Sequence, residues 1–197
     1  MKITEIFQTL EDRGNKTEIE SHGPYFCSLK DANGNLKKGV KEPWLGEGFY
    51  FWDSFIEDAK WWGNVIYVEN GRGYVIGQTT YDQHSSSLYD TVADLDKMKE
   101  LEDCAIKIKA ERQISYVSFP LLLKYLKEKG AFPYKAIRVC PVPSDKVSPT
   151  PIAIFPGDKM VFSKVRRVQI CFFDNSLFLS SFRIVFEQPQ GSLLFTI

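Results

Sequence analysis

Gly46-Glu47-Gly48-Phe49-Tyr50-Phe51-Trp52 is the stretch on which the reading of this chain turns. Two glycines one residue apart open onto four consecutive aromatic residues. Such spacing marks a tight turn into an edge strand, or backbone that passes very close to another strand or a ligand. It is not a dinucleotide fingerprint, because position 51 holds Phe where a third glycine is required. Asp53 follows, and Ser54 stands three residues before Glu57 at the spacing of a capping box. Phe55, Ile56, Ala59 and Trp62 recur at helical intervals, so a helix is expected over 55–62 with Gly63 as its stop.

Upstream, 3–12 has weak helical periodicity and reads as a short N-terminal helix or an extension, and 17–26 reads as a strand around His22. Residues 30–41 hold Asn33-Gly34 and several lysines, the chemistry of a solvated loop. Downstream, 65–68 and 73–79 read as strands and 88–101 as a helix. A second helix is expected over 119–129, capped by Ser118, with Pro120 in its first turn and Gly130 ending it. Residues 136–142 read as a strand, 141–156 as a proline-rich loop, and 159–162, 167–173, 182–187 and 192–197 as strands rich in Val, Ile and Phe. Strands and helices mix without regular alternation, which favours α+β over a doubly wound sheet.

Composition narrows the function. Hydrophobic residues make up 44% and charged residues 25% of 197, which excludes a disordered chain and fits one domain. The 25 Lys+Arg balance 25 Asp+Glu, which argues against general binding to the DNA backbone and leaves room only for a local basic groove. The four cysteines (Cys27, Cys104, Cys140, Cys171) are scattered and there are two histidines, so no zinc-ligand spacing exists and no metal is expected. No secretory leader or apolar run of membrane-spanning length is visible, and a cytoplasmic protein is expected.

Taken in order, His22-Gly23, then Gly46-x-Gly48-x-Tyr50-Phe51, then Ala59-x-Trp61 resemble the NAD-binding half of the ADP-ribosyltransferases of the diphtheria-toxin and poly(ADP-ribose) polymerase type. In that superfamily a first strand carries His-Gly, a second carries the Gly-x-Gly-x-Tyr motif, and a late strand carries a catalytic Glu. Val168-Gln169-Ile170-Cys171-Phe172-Phe173 resembles the late strand, with Gln169 in place of Glu. Trp61 stands where the family usually has Tyr, and Pro24 where it usually has Ser or Thr. The likeness covers about 18–65 and 159–186; Gln-Ile-x-Phe at this place also resembles some bacterial uncharacterised relatives, so the chain looks like a His-Tyr-Gln variant of the His-Tyr-Glu triad.

The resemblance implies a split pair of antiparallel sheets around an NAD cleft, in a single domain over 1–197 with 70–158 as a helical and loop insertion plus sheet edges. It implies His22 on a ribose hydroxyl, the Gly23 backbone on the nicotinamide amide, and Tyr50 and Trp61 against the nicotinamide ring by stacking and cation–π contact. Gly46 and Gly48 would belong to the same cofactor-binding surface. Gln169 would take the place of the acid that steadies an oxocarbenium-like transition state, but without supplying charge. The activity implied is transfer of a single ADP-ribose from NAD to a protein or nucleic-acid acceptor, or slow NAD cleavage, with an antitoxin or regulator as a further partner. The alternatives are an NAD- or nucleotide-binding module without turnover, and an α+β interaction protein in which His22 and 46–50 are structural.

Overall fold

Two faces of one sheet organise the molecule. In the computed structural model, which describes residues 1–31, 33–141, 153–155, 162–163 and 167–191, seven strands hydrogen-bond in the order β4-β5-β8-β2-β1-β3-β9. They are β1 (Ile3–Glu11), β2 (Phe49–Asp53), β3 (Tyr74–Asp82), β4 (Leu88–Asp90), β5 (Ala136–Val139), β8 (Gln169–Phe172) and β9 (Arg183–Gln188). β4 and β5 run parallel and every other pair in this sheet is antiparallel. A two-stranded sheet pairs β6 (Ala153–Phe155) with β7 (Phe162–Ser163). Among the described residues there are four α-helices: α1 (Lys16–His22), α2 (Ile56–Ile66), α3 (Leu95–Arg112) and α4 (Phe119–Glu128). The α+β expectation holds. The strands gather into one broad mixed sheet and a small hairpin, where two split antiparallel sheets were expected. Of the 70–158 region, β4 is an edge strand, while β3 and β5 each lie one place in from an edge.

Side chains alternate across the pleat. Ile6, Phe51, Tyr81, Ile170 and Phe172 point to one face and pack under α1 (through Ile19) and the 174–182 segment (through Phe178 and Phe182). Phe7, Trp52, Tyr74 and Ile76 point to the other face, under Ala59 of α2. Cys171, Ile137 and Tyr89 share that second face, under Ile108 of α3 and Leu122, Leu123 and Leu126 of α4.

The strand and helix expectations near the N-terminus are exchanged, for identifiable reasons. Residues 3–11 form a strand, not a helix. Ile3, Ile6, Phe7 and Leu10 happen to sit at helical intervals, while the buried positions of the first face also hold Thr4 and Gln8. Gln8 is held by Tyr25, whose N–H donates to Oε1 at 2.8 Å and whose carbonyl accepts from Nε2 at 2.9 Å. A buried amide with its partners satisfied is invisible to hydrophobic periodicity. Residues 16–22 form a helix, not a strand: Lys16, Glu18 and Glu20 are helix formers, and one buried residue, Ile19, anchors it.

Gly63 is not a stop. α2 runs on to Ile66, and the glycine serves packing instead: a Cβ at 63 would lie 2.5 Å from the Tyr74 ring. The expected strand at 65–68 is therefore the end of α2 and a 3₁₀ turn. No Ser54 capping bond forms; Ser54 has φ of 66° and the helix starts at Ile56. The helix expected over 88–101 divides into β4 and α3. Asp90 accepts from the N–H groups of Val92 and Ala93, which turns the chain, and Asp94 then caps α3. The helix at 119–128 with its Ser118 cap matches expectation. The 136–142 strand is shorter, ending at Val139. Most of the 141–156 loop and all of the 192–197 strand lie outside the described residues, as does 159–161.

On the α1 face, charge is buried between strands. Arg138 of β5 donates from Nε to Asp53 Oδ2 of β2 at 2.7 Å, and from Nη1 to the Asp90 carboxylate of β4 at 3.1 Å. Tyr81 of β3 donates to Asp53 Oδ1 at 3.0 Å. Asp53 is 1% exposed and Arg138 8%. Removing the guanidinium strands two carboxylates, so Arg138→Ala is expected to lose about 3–5 kcal/mol of unfolding free energy in urea titration. A loss below about 1 kcal/mol would show that the network carries no such penalty.

Candidate functional site

His22 is the last residue of α1 and is exposed, with Nδ1 within 3.0 Å of Ser21 Oγ. Gly23 follows, its N–H donating to Ile19 O at 2.8 Å. A Cβ on Gly23 would lie 2.3 Å from the Phe182 ring, so glycine lets the end of α1 settle onto the 174–182 segment. Between them opens a cleft of about 390 Å³ lined by His22, Gly23, Pro24, Phe49, Asn175, Phe178, Ser180, Ser181 and Phe182. Its volume falls in the range of small-molecule sites. Phe178 meets Phe49 edge-on at 5.5 Å, which gives an aromatic floor, while His22, Asn175 and the two serines bring polar atoms to the walls.

Tyr50 points away from this cleft. Its neighbour Phe49 takes the place in the wall, and Tyr50 packs on the opposite face with the α4 cluster. The phenol donates to Gly46 O at 2.7 Å and accepts from Leu45 N–H at 2.9 Å. Burial beside the Cys171 thiol raises its pKa far above that of an ordinary phenol. Tyr50 therefore fixes the 44–46 turn as a neutral hydroxyl.

The two glycines act in the same turn. Gly46 has φ of 86°, the left-handed region that favours glycine, and a Cβ on Gly48 would lie 2.5 Å from Cys171 Sγ and 2.6 Å from Phe172 O. The close approach that Gly48 serves is strand against strand, β2 on β8.

Gln169 lies on the Tyr50 face. It is paired across the sheet with Trp52 and accepts from Trp44 Nε1 at 2.9 Å. Trp61 meets Trp52 edge-on at 6.0 Å, and the guanidinium carbon of Arg167 sits 3.7 Å from its ring centre. The structure thus brings His22 and Gly23 together on one face, and Tyr50, Trp61 and Gln169 on the other. Sequence reading missed Phe49, Asn175, Phe178 and Ser180–Phe182 in the cleft, which are ordinary loop and core residue types. It also missed the Asp53–Arg138–Asp90 network, although a charge ending Phe-Tyr-Phe-Trp-Asp and an Arg inside Ala-Ile-Arg-Val were visible signals. Among the described residues, no cluster of three or more His, Cys, Asp or Glu is placed to hold a metal ion, and no helix is long and apolar enough to cross a membrane.

Cys171, fully buried at this junction, supplies a pH test. Burial pushes its thiol from 9.0 up to about 12. The unfolded thiol loses its proton first, so stability present below about pH 9 declines as pH rises toward 12. Cys171→Ala is expected to flatten that decline by up to about 1.4 kcal/mol per pH unit, read from urea midpoints on either side of pH 9. Parallel curves for the two proteins would contradict the assignment.

Compared with known proteins, the chain matches no family model, no curated protein and no solved structure.

Proposed function

We propose that this chain is a ligand-binding module whose cleft takes the planar ring of a nucleotide such as NAD without turning it over. The observation that carries this reading is the cleft itself: its lining combines His22 and Gly23 with the aromatic residues Phe49, Phe178 and Phe182 and the polar residues Asn175, Ser180 and Ser181. Aromatic side chains supply stacking area for a heterocycle, and a few convergent polar groups orient it.

Transfer of ADP-ribose asks for more than this. It needs the ring-holding aromatics, the ribose-holding His and a group that offsets developing positive charge, all converging on one bond. Among the described residues lining the cleft there is no Asp or Glu. Tyr50, Trp61 and Gln169 are on the far side of the sheet from His22. Both facts favour binding over the mono-ADP-ribosyltransferase or NAD glycohydrolase reading that the sequence resemblance implies. An ADP-ribosyltransferase-type fold in a wider sense remains compatible with a mixed sheet in which β1 lies between β2 and β3.

Calorimetry with NAD tests the proposal. Saturable binding is expected, weakened about tenfold in His22→Ala, the loss of one hydrogen bond to a bound polar group. Nicotinamide release is expected to stay at background in the wild type and in Gln169→Glu. Release that rises in Gln169→Glu would overturn the binding reading in favour of transfer.

A further inference from the structure

The other face of the sheet gathers all four tryptophans of the chain, Trp44, Trp52, Trp61 and Trp62, into one contiguous patch. Trp52 is its buried base, at 6% exposure, with the Trp61 and Trp62 rings centred 6.0 Å and 5.9 Å away. Trp44 joins through its hydrogen bond to Gln169, which pairs with Trp52 across the β2–β8 ladder. Trp44 and Trp62 keep 43% and 37% of their surface exposed. The core buries Trp52 and leaves these two large residues partly exposed, the kind of surface from which a partner draws interaction energy.

The Trp44–Gln169 bond also joins two segments that are far apart in sequence, the first of them carrying several lysines. Trp44 follows the exposed run Lys37-Lys38-Gly39-Val40-Lys41-Glu42 and a half-buried Pro43, and that run holds three lysines and one glutamate. Lys37 reaches Ser28 O, while Lys38 and Lys41 make no ion pair among the described residues. Gln169 stands two residues after Arg167, whose guanidinium covers Trp61 and lies 3.5 Å from Asp58. With its oxygen committed to Trp44, the Gln169 amide keeps its nitrogen to donate.

We infer that this face is a stacking platform for single-stranded nucleic acid. Trp44 and Trp62 would stack unpaired bases on their exposed surface, Lys38 and Lys41 would meet the neighbouring phosphates, and Gln169 would donate its amide to a base edge. Base–aromatic stacking tolerates any sequence, because every base has a π-face. A duplex hides those faces, so single strands are preferred. A net charge of zero for the whole chain is compatible with this, because the cations needed are local to the 37–44 loop. The platform lies across the sheet from the His22 cleft and does not depend on the ligand proposed for it.

The test uses the full chain with labelled oligothymidine and oligouridine of about 12 nucleotides at about 50 mM salt. Anisotropy is expected to rise saturably, and tryptophan fluorescence to be quenched in parallel, since every tryptophan sits in the patch. Trp44→Ala and Trp62→Ala are each expected to weaken binding about tenfold, the scale of one lost base stack. The Lys38→Ala/Lys41→Ala double variant is expected to lower the slope of log affinity against log salt by about 1.4. A duplex of equal length binds more weakly, and excess NAD displaces neither strand. No anisotropy change with either oligonucleotide overturns the inference. So does binding unaltered in both tryptophan variants, or displacement by NAD, or quenching produced by neutral oligosaccharides and not by nucleic acid.

Discussion

The pleat of β2 is the constraint on which the rest of this structure depends. Successive residues of a strand point to opposite faces, so Phe49, Phe51 and Asp53 cannot share surroundings with Tyr50 and Trp52. The register against β8 fixes the outcome: Phe49 stands opposite Phe172, Tyr50 opposite Cys171 and Trp52 opposite Gln169. One residue of slip would exchange both sets between the faces. Gly48 fits the observed register, because its missing Cβ is what allows the Cys171 sulfur and the Phe172 carbonyl to come so close. Two surfaces of different chemistry follow, an aromatic-floored cleft below α1 and a tryptophan patch between α2 and α4.

Each surface is buttressed by polar groups that a hydrophobic core alone would not contain. Gln8 ties the Tyr25 backbone to β1 and accounts for the path of the chain past His22 and Pro24. Tyr50 does the equivalent on the other face, where its hydroxyl bridges Leu45 N–H and Gly46 O and so places Trp44. Farther along the cleft face, Arg138 links β5 to β2 and to β4, holding the parallel edge of the sheet to its centre. Buried hydrogen bonds of this kind add little net stability, but leaving any one of them half made is costly. They select one arrangement of strands over its neighbours.

How much of this was legible in the sequence depended on whether a residue's role was local. β2, α4 with its Ser118 cap, β8 and β9 were read at or near their true positions, since each carries its own apolar pattern or cap. β1 and α1 were read in each other's place: Thr4 and Gln8 hide the alternation of a strand buried on both faces, and a helix held by Ile19 alone has almost no periodicity to show. The motif residues were found, but their grouping was not. Whether His22 and Tyr50 face one another depends on α1 being a helix and on the β2–β8 register, both tertiary facts. The cleft wall at Asn175–Phe182 lies between the stretches read as strands, 167–173 and 182–187, with no spacing to tie it to His22.

The central claim, that the sheet separates the His22 cleft from Tyr50 and Gln169, is tested most directly by mapping amide chemical shifts of the labelled chain during titration with NAD. The account predicts perturbation at Gly23, Asn175, Ser180 and Ser181, with the amides of Leu45 and Gly46 and the side chain of Gln169 unmoved. Concerted shifts at Gly23, Tyr50 and Gln169 would place all three around one ligand and contradict it.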